Sequence, residues 1–276
     1  MTKTCYALWT ALVLLVLGCD HVPENAPYYR LPDSAVVATV GDFHCTKGDV
    51  RQNEEILSRL LVLCGTTAKV NSVLFRRNYT TALVEHAIFA REATKRGLSL
   101  SDEGRRRQQR RFLDSLPGGT SLTYGQILSS LGKLASTFEA NQQLEALSNE
   151  TEDILRAEFA KKAAEASSLA TNAWKSIRAG NDFDVVGRKL LEMVKNVSYD
   201  VDCEKPVGIL DELSVGAISP LIATEGGLSM WKVKPGAANK KVYSRIFFSI
   251  PFPDAALDAW LEAQKKAPYV ILKCTF

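Results

Sequence analysis

The feature that most narrows the fold of this chain is where its periodicities change. Apolar residues recur at helical spacing between Thr46 and Ala179, and every strand-like run lies outside that interval. Strands gathered towards both ends of a long helical middle predict an α+β fold rather than an alternating α/β one. The first run, Val36-Val37-Ala38-Thr39-Val40, is followed by the turn dipeptide Gly41-Asp42 and by Phe43-His44-Cys45, which together read as a small hairpin. Thr46 offers an N-cap oxygen with Asp49 at the third helical position, and Ile56, Leu57, Leu60, Leu61 and Cys64 line one face of the helix that follows. A second helix is expected over about 72–96 with Gly97 as its left-handed cap. Ser101 caps a third, which opens on Asp102-Glu103 at its positive end. Gly118-Gly119 ends that helix ahead of a segment over about 124–147. Ser148-Asn149-Glu150-Thr151 reads as a further break before a long helix that Gly180-Asn181 terminates.

At the start of the chain, Lys3 precedes an apolar run over residues 6–17 that stops at Gly18-Cys19. A short positive head, an apolar stretch and a small residue before the cut are the parts of a secretory signal. The run is too short to span a bilayer, which takes about twenty helical residues. Val16-Leu17-Gly18-Cys19 resembles the lipobox of bacterial lipoproteins, although Leu17 stands where that motif usually has a small residue. The resemblance implies a signal peptide over residues 1–18, lipidation of Cys19, and a mature protein in the bacterial cell envelope, extracytoplasmic and lipid-anchored to a membrane. An ordinary signal peptide with a coincidental cysteine and a short buried helix are the alternatives. Residues 19–34, rich in Pro, Asn and Tyr, read as a tether.

With 46% hydrophobic and 24% charged residues the remainder is ordinarily globular. A net charge of +3 selects no class of partner, and nucleic acid is not expected as a target. Beyond Cys19 the chain carries Cys45, Cys64, Cys203 and Cys274, which could pair in three ways outside the cytoplasm. A helix between Cys45 and Cys64 would hold them roughly 25 Å apart, beyond disulfide reach. No Cys-x-x-Cys or cysteine–histidine cluster suggests a metal site, and no cofactor motif is present.

The hairpin-then-helix entry over residues 37–49, followed by Ala87-Ile88-Phe89-Ala90-Arg91-Glu92-Ala93-Thr94-Lys95-Arg96-Gly97-Leu98-Ser99-Leu100-Ser101-Asp102-Glu103, resembles the helical region of the SurA and PrsA type of extracytoplasmic folding factors. These factors join such a region to parvulin-type peptidyl-prolyl isomerase domains. Ala173-Trp174-Lys175-Ser176-Ile177-Arg178-Ala179-Gly180-Asn181-Asp182-Phe183 resembles the parvulin helix and its closing turn. Val215-Gly216-Ala217-Ile218-Ser219-Pro220-Leu221-Ile222 and Gly227-Leu228-Ser229-Met230-Trp231-Lys232-Val233 resemble the stretch leading into the last parvulin strand and that strand itself. The resemblance implies a helical region over 35–150 and a divergent parvulin-like domain over 151–276. It further implies a membrane-tethered folding factor of the peptidyl-prolyl cis-trans isomerase family, with unfolded or proline-containing polypeptide as its partner. A non-catalytic chaperone or assembly lipoprotein is the alternative.

The departures bear on chemistry. Parvulin sites centre on two histidines, but Ser229 takes the second one's place, and the only histidines are His21, His44 and His86. Lys205-Pro206-Val207-Gly208-Ile209-Leu210 is a poor substitute for the family's glycine-rich segment. The family's first strand is missing before Ala179, and the strand-like Val242-Tyr243-Ser244-Arg245-Ile246-Phe247-Phe248-Ser249-Ile250 is its candidate replacement, which would make a permuted sheet. Catalytic residues are therefore unassigned. Phe183, Ser229, Met230, Trp231, Phe247 and Phe248 are candidates for a peptide groove, since soft and aromatic side chains suit adaptable recognition; the apolar ones also read as core. The run Arg105, Arg106, Arg107, Arg110 and Arg111 reads as a solvated face or as a contact for anionic lipid. Tyr269-Val270-Ile271-Leu272-Lys273-Cys274-Thr275-Phe276 reads as a paired terminal strand that would bring Cys274 near Cys203 as a candidate disulfide.

Overall fold

Thr46 and Asp49 cap each other reciprocally at the first strand-to-helix junction. The Thr46 Oγ accepts from the Asp49 N–H at 3.2 Å, and Asp49 Oδ2 accepts from the Thr46 N–H at 2.8 Å. The computed structural model describes residues 27–66, 70, 72–116, 121–203, 213–224, 226–236, 240–250 and 252–273. The signal run, Cys19, Gly118-Gly119, residues 204–212 and Cys274 lie outside the described residues.

The hairpin is β1 (Val36–Val40) and β2 (Phe43–Thr46), with Gly41 in the left-handed region at φ +58°. Helices α1 (Lys47–Leu63), α2 (Ser72–Lys95) and α3 (Asp102–Ser115) follow at the expected positions, and Ser101 caps α3 by accepting from the Gly104 N–H. Then come α4 (Tyr124–Leu131), α5 (Ala135–Arg178), α6 (Phe183–Met193), β3 (Val197–Cys203), β4 (Ile222–Thr224), β5 (Gly227–Pro235), β6 (Lys241–Ser249), α7 (Pro253–Lys265) and β7 (Val270–Leu272). The fold is α+β, with two antiparallel sheets ordered β2-β1-β7 and β3-β6-β5-β4.

Two expected helix boundaries are corrected. The segment expected over 124–147 is split at Gly132, whose φ of +57° lies outside the helical region. The break expected at Ser148-Asn149-Glu150-Thr151 is absent, because α5 runs through it for 44 residues. Residues that favour turns do so by bonding their own backbone, and here Asn149 and Glu150 are engaged by distant partners instead. The Asn149 amide donates to Gln108 Oε1 at 3.1 Å, and Glu150 Oε1 accepts from the Ser101 hydroxyl at 2.7 Å. Gln108 in turn donates to Gln142, and Gln142 donates to the carboxylate of Glu145. Asn141, one turn earlier, donates to Asn53 at 2.6 Å. A polar seam along α5, buried at Gln108, Gln142 and Asn149, thus replaces the turn. Gly104 belongs to it, since a Cβ there would stand 2.0 Å from Glu150 Oε1. Of the arginine run, Arg105, Arg106 and Arg110 are exposed, whereas Arg107 and Arg111 line a shallow cleft with Gln108, Asn149, Glu150 and Asp153.

The chain divides into one unit of Met1–Ile154 with Trp260–Phe276 and a second of Leu155–Ala259. In the first, Val37, Val40, Val50, Val84 and Ile88 form a core around β1, and Ile56, Leu60, Ile127, Leu131 and Phe138 form another among the helices. Tyr28, within the expected tether, is 3% exposed in the former core. The terminal strand is paired, as its composition predicts: Val40 faces Val270 and Ala38 faces Leu272. It therefore folds with the hairpin of the first unit rather than with the four-stranded sheet, and β1 gains a partner on its second edge.

In the second unit, the C-terminal part of α5 and helix α6 cover one face of the four-stranded sheet. Ala170, Ala173 and Ile177 meet Phe183, Val197, Met230, Ile246 and Phe248 there. Gly187 sets the closeness of α6 to β3, because a Cβ at that position would lie 2.5 Å from the Tyr199 ring. Asp182 caps α6 by accepting from the Asp184 and Val185 N–H groups.

Candidate functional site on the four-stranded sheet

Register assigns every side chain of this sheet to a face, because successive residues of a strand point to opposite sides. Met230 stands opposite Ile246 and Leu228 opposite Phe248, on the face packed by helices. Ser229 stands opposite Phe247 and Trp231 opposite Arg245, on the other. The six groove candidates accordingly divide. Phe183, Met230 and Phe248 are 1%, 0% and 0% exposed, and they are core residues rather than a groove lining. Ser229, Trp231 and Phe247 share the outer face; Ser229 and Trp231 are buried and Phe247 is half-buried. Sequence neighbours such as Met230-Trp231 and Phe247-Phe248 cannot contribute to one surface of a strand.

The outer face holds an arrangement built across three strands. Arg245 on β6 lies between Trp231 on β5 and Asp200 on β3. Its guanidinium carbon is 5.5 Å from the centroid of the Trp231 ring and 5.3 Å from that of Phe247, both within cation–π range. Its Nε and Nη2 donate to Asp200 Oδ2 at 2.9 and 2.6 Å. Trp231 Nε1 donates to Ser229 Oγ at 3.0 Å, so the serine at the expected histidine position is occupied by a structural bond. The stretch at 216–219 runs beside β5, with Ser219 N–H donating to the Trp231 carbonyl and the Val233 N–H donating to Ala217. Asp200 and Arg245 escape sequence reasoning, since their juxtaposition depends on the register of β3 against β6; the alternation of Arg245 with Phe247 on one strand is the only sequence signal.

A second charged cluster sits under α6, on the helix-covered face. Asp184 accepts from the Tyr199 hydroxyl at 2.5 Å, from Lys232 at 3.1 Å and from Lys234 at 2.8 Å. Burial works to raise the pKa of the Asp184 carboxyl, but the hydrogen bonds from Lys234, Tyr199 and Lys232 outweigh it and hold the group at about 2. The Tyr199 phenol is pushed up, first by burial and then by that carboxylate. Lys232 is ion-paired with both Asp182 and Asp184, and this cluster pins α6 to the sheet.

Nothing in the second unit supplies a histidine base. His86, in the first unit, is buried and its pKa falls to about 4, leaving a neutral ring, and His44 is exposed beside Thr39. The Cys45 thiol is pushed up to about 12, by burial and then by Asp49, the reverse of an activated nucleophile. The Cys203 thiol donates to the Tyr243 carbonyl at 3.1 Å, and its expected partner Cys274 lies outside the described residues. Among the described residues no group of three His, Cys, Asp or Glu side chains is placed to hold a metal ion, and no helix is long and apolar enough to cross a membrane. The outer face thus offers hydrogen-bond donors and a ring, which is binding chemistry. No protein-family model, no curated protein and no solved structure matches this chain.

Proposed function

We propose that this protein is a membrane-tethered, extracytoplasmic folding factor of the peptidyl-prolyl cis-trans isomerase family, lipid-anchored through Cys19, whose second unit receives unfolded or proline-containing polypeptide. The observation that carries this reading is the pairing of β6 with β5 along their whole length, from Gly227 opposite Ser249 to Pro235 opposite Lys241. Residues 242–250, offered as the displaced strand of a permuted parvulin sheet, include most of a central strand of an antiparallel sheet backed by helices, which supports that reading. Proline isomerisation needs no acid–base step, because the barrier of about 18–20 kcal/mol is amide resonance, which a pocket complementary to the twisted amide lowers.

A second reading, a chaperone that binds polypeptide without isomerising it, is favoured by one observation: Ser229 is buried and bonded to Trp231, with no histidine in the unit. A protease-coupled isomerisation assay on soluble protein beginning after Cys19, with Ser229→Ala as control, separates the two. Acceleration proportional to protein concentration supports the isomerase. Folded protein that gives no acceleration yet suppresses aggregation of a denatured client supports the chaperone, and failure in both assays refutes both.

A further inference from the structure

The Arg245–Asp200 pair on the outer face of the four-stranded sheet leaves one nitrogen and one oxygen uncommitted among the described residues. Arg245 directs both Nε and Nη2 at a single oxygen, Asp200 Oδ2, and its Nη1 meets no acceptor among the described residues. A guanidinium is planar, and this one is fixed in plane by the fork to Asp200 and by the rings of Trp231 and Phe247. The side chains of Arg245 and Asp200 remain 36% and 38% exposed, so the pair is open to solvent. Phe247 is half-buried beside Gly227, where a Cβ would stand 3.0 Å from the ring. An oriented donor and an aromatic surface therefore lie two residues apart on β6.

Charge decides what this pair accepts. Asp200 neutralises Arg245, so a carboxylate drawn to Nη1 also meets the charge of Asp200, and an ammonium drawn to Asp200 meets the guanidinium. A backbone carbonyl pays neither penalty. Buried or half-buried donors are costly to leave unmatched when a ligand excludes water, so a segment that covers Arg245 must bring an acceptor. We infer that Arg245, oriented by Asp200, and Phe247 form a recognition site for neutral, apolar polypeptide: a main-chain carbonyl accepts from Arg245 Nη1 while an adjoining apolar side chain or prolyl ring lies on Phe247. This rests on the folding-factor reading and names the chemistry of its client.

The test uses the soluble mature protein and three labelled peptides of equal length that differ only in the residues flanking Ala-Pro, which are neutral, acidic or basic, with binding read by fluorescence anisotropy. Wild type should prefer the neutral peptide. Arg245→Met should weaken it about tenfold, the worth of one hydrogen bond from a charged donor. Arg245→Lys should fail to restore it, because an ammonium lacks the planar fork. Asp200→Asn keeps an amide acceptor for the sheet and removes the charge, so it should turn the preference towards the acidic peptide; this arm holds even where Arg245→Met does not fold. Equal binding by Arg245→Lys and wild type, or an unchanged preference in Asp200→Asn, overturns the inference. If wild type binds none of the peptides yet suppresses aggregation of a denatured client, the inference fails and the folding-factor reading stands. If it does neither, both fail.

Discussion

Replacing Asp184 by Asn tests how α6 is held on the sheet. In the folded protein its carboxylate gathers the Tyr199 hydroxyl and the ammonium groups of Lys232 and Lys234, with its side chain 20% exposed. Folding lowers its pKa from 3.8 to about 2, net of the opposing effect of burial. A carboxylate whose folded pKa is depressed contributes stability that is fully present above its unfolded value and is lost as pH falls through the folded one. The shift sets a ceiling of roughly 2.5 kcal/mol. Screening at a partly open site reduces the expected contribution to about 1 kcal/mol. Asn keeps an acceptor for Tyr199 but leaves Lys234 without its charge partner and Lys232 with Asp182 alone, at 3.5 Å. Asp184→Asn should therefore unfold about 1–2 kcal/mol more easily in urea at neutral pH, and the gap should close steadily from pH 4 down to pH 2. Tryptophan fluorescence reports on it, since Trp174 and Trp231 lie in the same unit. Equal stability at neutral pH, or a gap that stays constant into acid, would refute the argument. The Tyr199 phenol predicts a mirror limb: its raised pKa means stability lost as pH climbs above 10.

Gly187→Ala should destabilise the second unit by about 1–3 kcal/mol, as overpacking does, because the new Cβ would lie 2.5 Å from the Tyr199 ring; an unchanged urea midpoint would argue against close packing there. Gly104→Ala should cost about 1 kcal/mol by displacing Glu150 from the Ser101 hydroxyl, and in a Glu150→Ala background the same change should cost markedly less, which a double-mutant cycle measures. The Cys45 thiol, 1% exposed with its pKa pushed up to about 12, should resist maleimide at neutral pH until the first unit is unfolded; rapid labelling of native protein at that residue contradicts its placement.

Much of the local architecture was legible in residues that carry their own geometric signal. The hairpin over 36–46, the Thr46-Asp49 box, the Gly97 cap, the Ser101 cap and the end of α5 at Gly180 are each decided within four or five residues, by side chains whose hydrogen bonds or φ preferences allow few alternatives. The same local reasoning failed at Ser148-Asn149-Glu150-Thr151. Those side chains prefer turns only while no better partner is near, and Gln108 and Ser101, distant in sequence, are better partners. Strand β3 alternates Val197, Tyr199 and Val201 with Ser198, Asp200 and Asp202, the period of a half-buried strand, but nothing local selects β6 as its partner.

The candidate site follows the same division. Composition alone points to aromatic and apolar residues near 229–231 and 247–248, and it is indifferent to which side of a sheet they face. Pairing β5 against β6 sends Met230 and Phe248 into the core and leaves Phe247 at the surface beside Arg245. Asp200 reaches Arg245 across 45 residues of chain because β3 docks on the opposite edge of the same strand. Caps, turns and helical stripes are short-range energies written into adjacent residues. Strand register, the face a side chain takes, and the partners of a buried polar group are minima of the whole packed chain, where burial and hydrogen bonding between distant segments outweigh any local preference.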